Sequence, residues 1–166
     1  THGDIHMIVD DNEQKLDTDM LKPEYKGLVL VGGSLVTLDA LKKAVESGVS
    51  AIVCGGIRHQ DLTTFIGEEI GVAITGQEEV GITLIITEGF GNMTMSQRTF
   101  DLLKEFEGFR ACVNGATQIR AGVLRPEIII PHDLKMEGGD ENLASGMVPG
   151  TPIRIIRQPY FGAIGK

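Results

Sequence analysis

The chain has 166 residues, 42% of them apolar and 23% charged, with two cysteines, no tryptophan and a formal net charge of −8. That length suits one ordinary domain, which buries roughly 70% of the surface of its unfolded chain without disulfide or metal staples, and the apolar content excludes a disordered chain. No apolar run approaches the roughly 18 residues of a membrane span, and the negative charge argues against broad electrostatic binding to nucleic acid or an anionic membrane.

Taken in chain order, apolar runs bounded by glycine alternate with helical patterns. This predicts an α/β fold with a largely parallel sheet flanked by helices, a doubly wound arrangement being one of the alternatives. The first strand is read at Ile5 to Val9, followed by polar residues from Asp10 to Asp19, and the second at Leu28 to Val31, closing on Gly32 and Gly33. Leu38, Leu41, Ala44 and Val45 then fall on one helical face, with Asp39 in the favoured first turn and Gly48 at the C′ position. A strand from Ala51 to Cys54 closes on Gly55 and Gly56. Leu62, Phe65, Ile66 and Ile70 mark the next helix, with Asp61 read as its N-cap. Val72 to Thr75 reads as a short strand or extended connector and Ile82 to Thr87 as a buried strand. A loop from Glu88 to Met93 leads to a helix carrying Phe100, Leu103 and Phe106, with Thr94 and Gln97 as capping pair and Gly108 as terminator. Phe109 to Val113 and Ile128 to Ile130 complete the strands.

Residues 1 to 131 are therefore expected to form the α/β domain, 132 to 148 a glycine-rich linker or long loop, and 149 to 166 a separate strand segment. Arg154, Arg157 and Lys166 give the last segment +3 with no acid, leaving −11 on residues 1 to 148. Val29 to Gly56 and Leu84 to Gly115 repeat one supersecondary pattern of strand, glycine loop, helix and strand, too loosely for a tandem array. Cys54 and Cys112 lack CxxC spacing and read as reduced, buried packing thiols. No basic stretch precedes an apolar one at the N-terminus, so the expected compartment is the cytoplasm, and the chain reads as a piece of a longer protein.

Three strands end in glycine-bearing loops ahead of helices: Gly32, Gly33, Ser34 and Thr37; Gly55, Gly56, Arg58 and His59; and Glu88, Gly89 and Gly91. Parallel strands would put all three loops on one edge of the sheet, where backbone amides can meet an anion. The competing explanation is that short turns simply need small residues or positive φ. At this edge Arg58 could clamp an anionic group and His59, with Asp61 nearby, could carry a proton; equally, these are solvated residues at a helix start. Gly89-x-Gly91-x-x-Thr94 is an incomplete dinucleotide fingerprint. No GxxxxGK[ST], HExxH, GxSxG or EF-hand spacing occurs, so no cofactor is expected. His2, Asp4 and His6 share a face of an extended strand, but no metal is expected there. Asn114, Thr117, Gln118 and Arg120 form a polar stretch that would be either a second wall of the site or a self-satisfied loop.

From Gly150 to Gly165 the sequence GTPIRIIRQPYFGAIG resembles the first half of a KOW motif, the strand-loop-strand element of NusG-like factors and several ribosomal proteins; Gly150, Ile153, Arg154, Ile155 and Gly162 carry the likeness. The resemblance implies a small SH3-like barrel that binds RNA or protein. Its second strand is expected to be missing here, leaving the segment poorly ordered or borrowed by a neighbour. The remainder, with Gly27 to Ile57 and Gly81 to Pro131, resembles an uncharacterised bacterial family of KOW-containing proteins, and the N-terminal half is similar at fold level to swivelling beta/beta/alpha domains.

Two readings follow. One is a non-catalytic ligand- or protein-interaction domain of a larger cytoplasmic protein, its acidic globule meeting a protein partner or another copy of the chain, with RNA reached only through a complete KOW module. The other is a small-molecule binding domain or enzyme acting on an anionic metabolite at the glycine loops. No membrane association is expected.

Overall fold

The computed structural model describes residues 1–67, 80–117, 125–133, 149–151, 153–155, 160 and 164–165. It divides into two compact units, Thr1–Pro131 and His132–Lys166. The first holds β1 (His2–Met7), β2 (Val29–Val31), β3 (Leu35–Val36), α1 (Leu38–Glu46), β4 (Ala51–Ile57), α2 (His59–Ile66), β5 (Thr83–Phe90), α3 (Gln97–Glu105), β6 (Arg110–Asn114) and β7 (Glu127–Ile129).

Five strands run parallel. β1 pairs β2, β2 pairs β4, and β4 pairs β5 along its opposite edge and β3 at its carboxyl end. β6 lies antiparallel on His2–Asp4 of β1, and β7 antiparallel on β6. The sheet is therefore mixed, which corrects the expectation of a largely parallel one. The cause is the path of α3. It starts beside the carboxyl end of β2, where the Met95 amide donates to the Gly33 carbonyl, and ends beside the carboxyl end of β1, where Glu107 accepts from the Met7 amide. The chain thus re-enters the sheet from the carboxyl edge, and β6 can only descend along β1. The sheet also curls. Gly115 follows β6, three pairings from β4, yet a Cβ there would lie 3.2 Å from the Thr83 side chain of β5 on the far side of β4.

Alternation along each strand separates two cores, because successive side chains point to opposite faces. Val29, Val31, Ala51, Val53 and Ile85 pack with Met95, Phe100, Leu103, Phe106, Ala111 and Val113 under α3 and β6. Leu30, Ile52 and Cys54 point the other way, into Leu16, Val36, Ala40, Leu41 and Ala44 around α1. β6 obeys the same rule: Ala111 and Val113 are buried and Cys112 is exposed, so only Cys54 is the buried thiol expected of both.

The helix signals were partly local. Thr37 caps α1, its hydroxyl accepting from the Ala40 amide, and Gly48 follows with φ +70°. In α2 the N-cap is Arg58 and Asp61 lies inside the first turn, which corrects the expected cap; the helix stops at Gly67, with φ +80°. Ile70 and the strand expected at Val72 to Thr75 lie outside the described residues. Ser96, not Thr94, caps α3, and its own amide donates to Glu88. Gly55 and Gly56 belong to β4, and Glu88, Gly89 and Phe90 to β5, so these positions are strand where loops were expected.

In the second unit, β8 (Ile153–Arg154) pairs antiparallel with β9 (Ile164–Gly165), so the segment expected to lack a second strand has a short one. Most of the expected linker lies outside the described residues. No described helix is long and apolar enough to cross a membrane.

Candidate functional site

The three glycine segments do meet at the carboxyl edge of the sheet, but by packing backbone on backbone. A Cβ on Gly33 would lie 2.6 Å from the carbonyls of Asp11 and Gln14. One on Gly55 would lie 2.0 Å from the Met93 carbonyl, and one on Gly56 2.3 Å from that of Gly91. Gly32 abuts the Leu16 side chain, 3.1 Å from its would-be Cβ. The amides that an anion would use are already committed. Gly32 donates to the Val53 carbonyl at 2.8 Å, Ser34 to Gln14 at 2.9 Å, Gly55 to Gly33 at 3.1 Å and Gly91 to Ile57 at 2.8 Å, while Gly56 donates to Ser34.

The polar side chains are similarly occupied. Ser34 is buried and its hydroxyl donates to the Glu13 carbonyl at 2.7 Å. Thr37 caps α1 and donates to Asp17 at 3.3 Å. A carboxylate oxygen of Glu88 accepts from the Ser96 amide at 2.9 Å and from the Thr87 hydroxyl at 3.4 Å. What remains open is a corner at the start of α2. Arg58 and His59 are exposed, the His59 ring meets Phe90 edge-on at 5.3 Å, and Phe90 is 57% exposed between Gly89 and Gly91, which have nothing within 4 Å of their would-be Cβ positions. Among the described residues, no hydrogen bond orients His59 through Asp61. Of the polar stretch that begins at the last residue of β6, Asn114 accepts from the Ala116 amide, and Gln118 and Arg120 lie outside the described residues.

His2, Asp4 and His6 alternate along β1 but turn to different partners. Asp4 meets Arg110 at 3.8 Å, while His6 Nδ1 lies 2.8 Å from Glu107. Among the described residues no three His, Cys, Asp or Glu side chains are placed to hold a metal ion. The His6–Glu107 pair is a constellation that the sequence does not show, because 101 residues separate its members. An ionised carboxylate only accepts, so Nδ1 is the donor in this contact. The other carboxylate oxygen takes the Met7 amide at 2.6 Å, and the Tyr25 ring packs on the imidazole at 4.9 Å. Cys54 is inert in this geometry, since burial pushes its thiol up to about 12.

A second concavity, of about 380 Å³, lies between α2, the outward face of β5 and the chain around Gly115 and Pro126. Compared with family models, curated proteins and solved structures, the chain matches none.

Proposed function

We propose that the chain is a non-catalytic ligand- or protein-interaction domain of a larger cytoplasmic protein that carries a KOW-like, SH3-like module. The observation that carries this reading is the commitment of the Gly32, Ser34, Gly55, Gly56 and Gly91 amides to carbonyls of the same chain. Open α/β sheets bind ligands at this edge through free amides, and here those donors hold the fold together. The surface charge agrees with partner binding. The unit Thr1–Pro131 carries −8 and His132–Lys166 is neutral, so recognition by the first unit favours a partner with a basic face. RNA binding is assigned only to a complete C-terminal module.

The test is a thermal-shift screen of nucleotides and phosphorylated metabolites, beside salt-titrated binding of a longer chain that carries the complete module. No midpoint change in the screen and a salt-sensitive protein or RNA partner in the second assay are expected. A stabilisation that Arg58→Ala removes would overturn the reading in favour of an anionic metabolite site at the strand ends. One observation favours that second reading, the open corner of Arg58, His59 and Phe90.

A further inference from the structure

We infer that the concavity beneath α2 binds a small anionic amphiphile, with its apolar tail between α2 and β5 and its carboxylate at Arg125. The inference rests on the reading of a ligand-interaction domain but uses a different part of the fold from the glycine edge.

Three observations support it. First, the apolar stripe of α2 is incompletely packed. α1 buries Ala40, Leu41 and Ala44, and α3 buries Phe100 and Leu103, whereas Leu62, Phe65 and Ile66 of α2 are only half-buried and no residue of that helix is fully buried. Across from them Leu84 and Ile86 of β5 are also half-buried, although both belong to the apolar face on which α1 packs. Second, the space between has the volume of a small-ligand site. At about 380 Å³ it falls within the range of roughly 300–1,000 Å³ that such sites occupy. Its far wall carries no side chain at Gly115, which keeps the cavity open along β5.

Third, the described residues that line the cavity carry one sign of charge. The first unit carries −8, yet among the described residues lining this cavity there is no carboxylate and one cation, the exposed Arg125, accompanied by Thr83 and Thr117. No ion pair engages Arg125 among the described residues. An apolar ligand without an anionic head would leave that guanidinium unused, and a cationic one would be repelled. A guanidinium lining the same cavity as two hydroxyl-bearing residues supplies the donors that recognise a carboxylate.

The experiment uses monomeric decanoate as probe and decanol as its uncharged counterpart, with thermal unfolding and direct titration as readouts. Decanoate at about ten times its Kd is expected to raise the midpoint by roughly 3–6 °C, with decanol binding about tenfold more weakly. Arg125→Gln, at an exposed position, should bring decanoate affinity down to that of decanol. Leu84→Trp, which fills the cavity from a strand position where aromatic residues are tolerated, should abolish both. If Leu84→Trp does not fold, as judged by circular dichroism, Arg125→Gln and the decanol arm still decide. No stabilisation of the wild type by decanoate, equal affinity for decanol, or binding indifferent to Arg125→Gln overturns the inference. Any of these leaves the phosphometabolite screen and the partner assays above untouched, so failure here is distinct from failure of the interaction-domain reading.

Discussion

Replacing Gly55 by alanine separates the two roles a strand-end glycine can have. Its Cβ would stand 2.0 Å from the Met93 carbonyl oxygen, 2.6 Å from the Met95 nitrogen and 2.9 Å from the Gly33 oxygen. The first is about 1.3 Å inside the closest ordinary carbon–oxygen approach. All three are backbone atoms, so no side chain can swing aside, and the segment before α3 must lift away from β4. Lifting it breaks the bond from the Met95 amide to Gly33 and the one from the Asn12 side chain to the Met95 carbonyl, and partly uncovers Met95, which is now fully buried. Two hydrogen bonds at about 1 kcal/mol each and partial loss of a buried methionine at about 2 kcal/mol give a destabilisation of about 3–4 kcal/mol. Gly67→Ala is the control. That residue has φ +80° and nothing near its would-be Cβ, so alanine meets only backbone strain of about 1–2 kcal/mol. Urea unfolding followed by circular dichroism measures both, with m expected to be unchanged. Equal costs at the two positions would refute the close-packing account. A stable Gly55→Ala that had instead lost binding of a phosphorylated ligand would restore the glycine edge as a site.

Three further predictions concern the two thiols and the His6–Glu107 pair. Iodoacetamide at pH 8 should modify Cys112 alone in the folded protein and both thiols after unfolding, counted by mass spectrometry, because Cys112 is exposed and burial raises Cys54 to about 12 from 9.0. Between those values the folded protein holds a Cys54 proton that the unfolded chain has released, so this thiol lowers stability as pH rises from about 9 towards 12. Urea midpoints should fall more steeply over that window in the wild type than in Cys54→Ala; parallel slopes would count against the shift. Glu107→Gln leaves one oxygen to serve both His6 and the Met7 amide and should cost about 1 kcal/mol. A double-mutant cycle with His6→Ala should return a coupling of about 0.5–1 kcal/mol, and a coupling of zero would show that the pair is geometric only.

The parts of this fold that were legible in the sequence are those set by nearest neighbours along the chain. Val29 to Val31 and Ala51 to Cys54 are continuous apolar runs because both faces of the sheet are covered there, whereas Leu84 to Ile86 is an equally apolar run with only Ile85 fully buried, and Leu38, Leu41 and Ala44 repeat with helical spacing because α1 covers one face. The direction of β6 was not legible. It depends on where α3 ends, and that is fixed by Glu107 meeting Met7 and by Phe109 accepting from Ile5, contacts that span about 100 residues. The same distance hides the His6–Glu107 pair. Glu88 shows the converse, since its position at a strand end invites a catalytic role while its carboxylate accepts from the amide of the α3 cap.

The glycines at the strand ends answer two different physical demands. A sequence shows a glycine but not which of two demands selects it, positive φ or the absence of a Cβ. Gly89 and Gly91 have φ of +145° and +109° with open space around them, so backbone conformation accounts for them. Gly33, Gly55 and Gly56 are not among the residues of positive φ; another stretch of backbone lies where their side chains would be. An anion-binding loop would leave that space for the ligand, whereas here Asp11 to Gln14 and Gly91 to Met95 fill it. The intruding segments lie some 20 residues before Gly33 and some 35 residues after Gly55 and Gly56, so no local spacing rule distinguishes a cradle from a contact. The distinction is tertiary: backbone closes the strand ends, and the space of ligand size lies at the side of β5, where α2 leaves apolar surface uncovered.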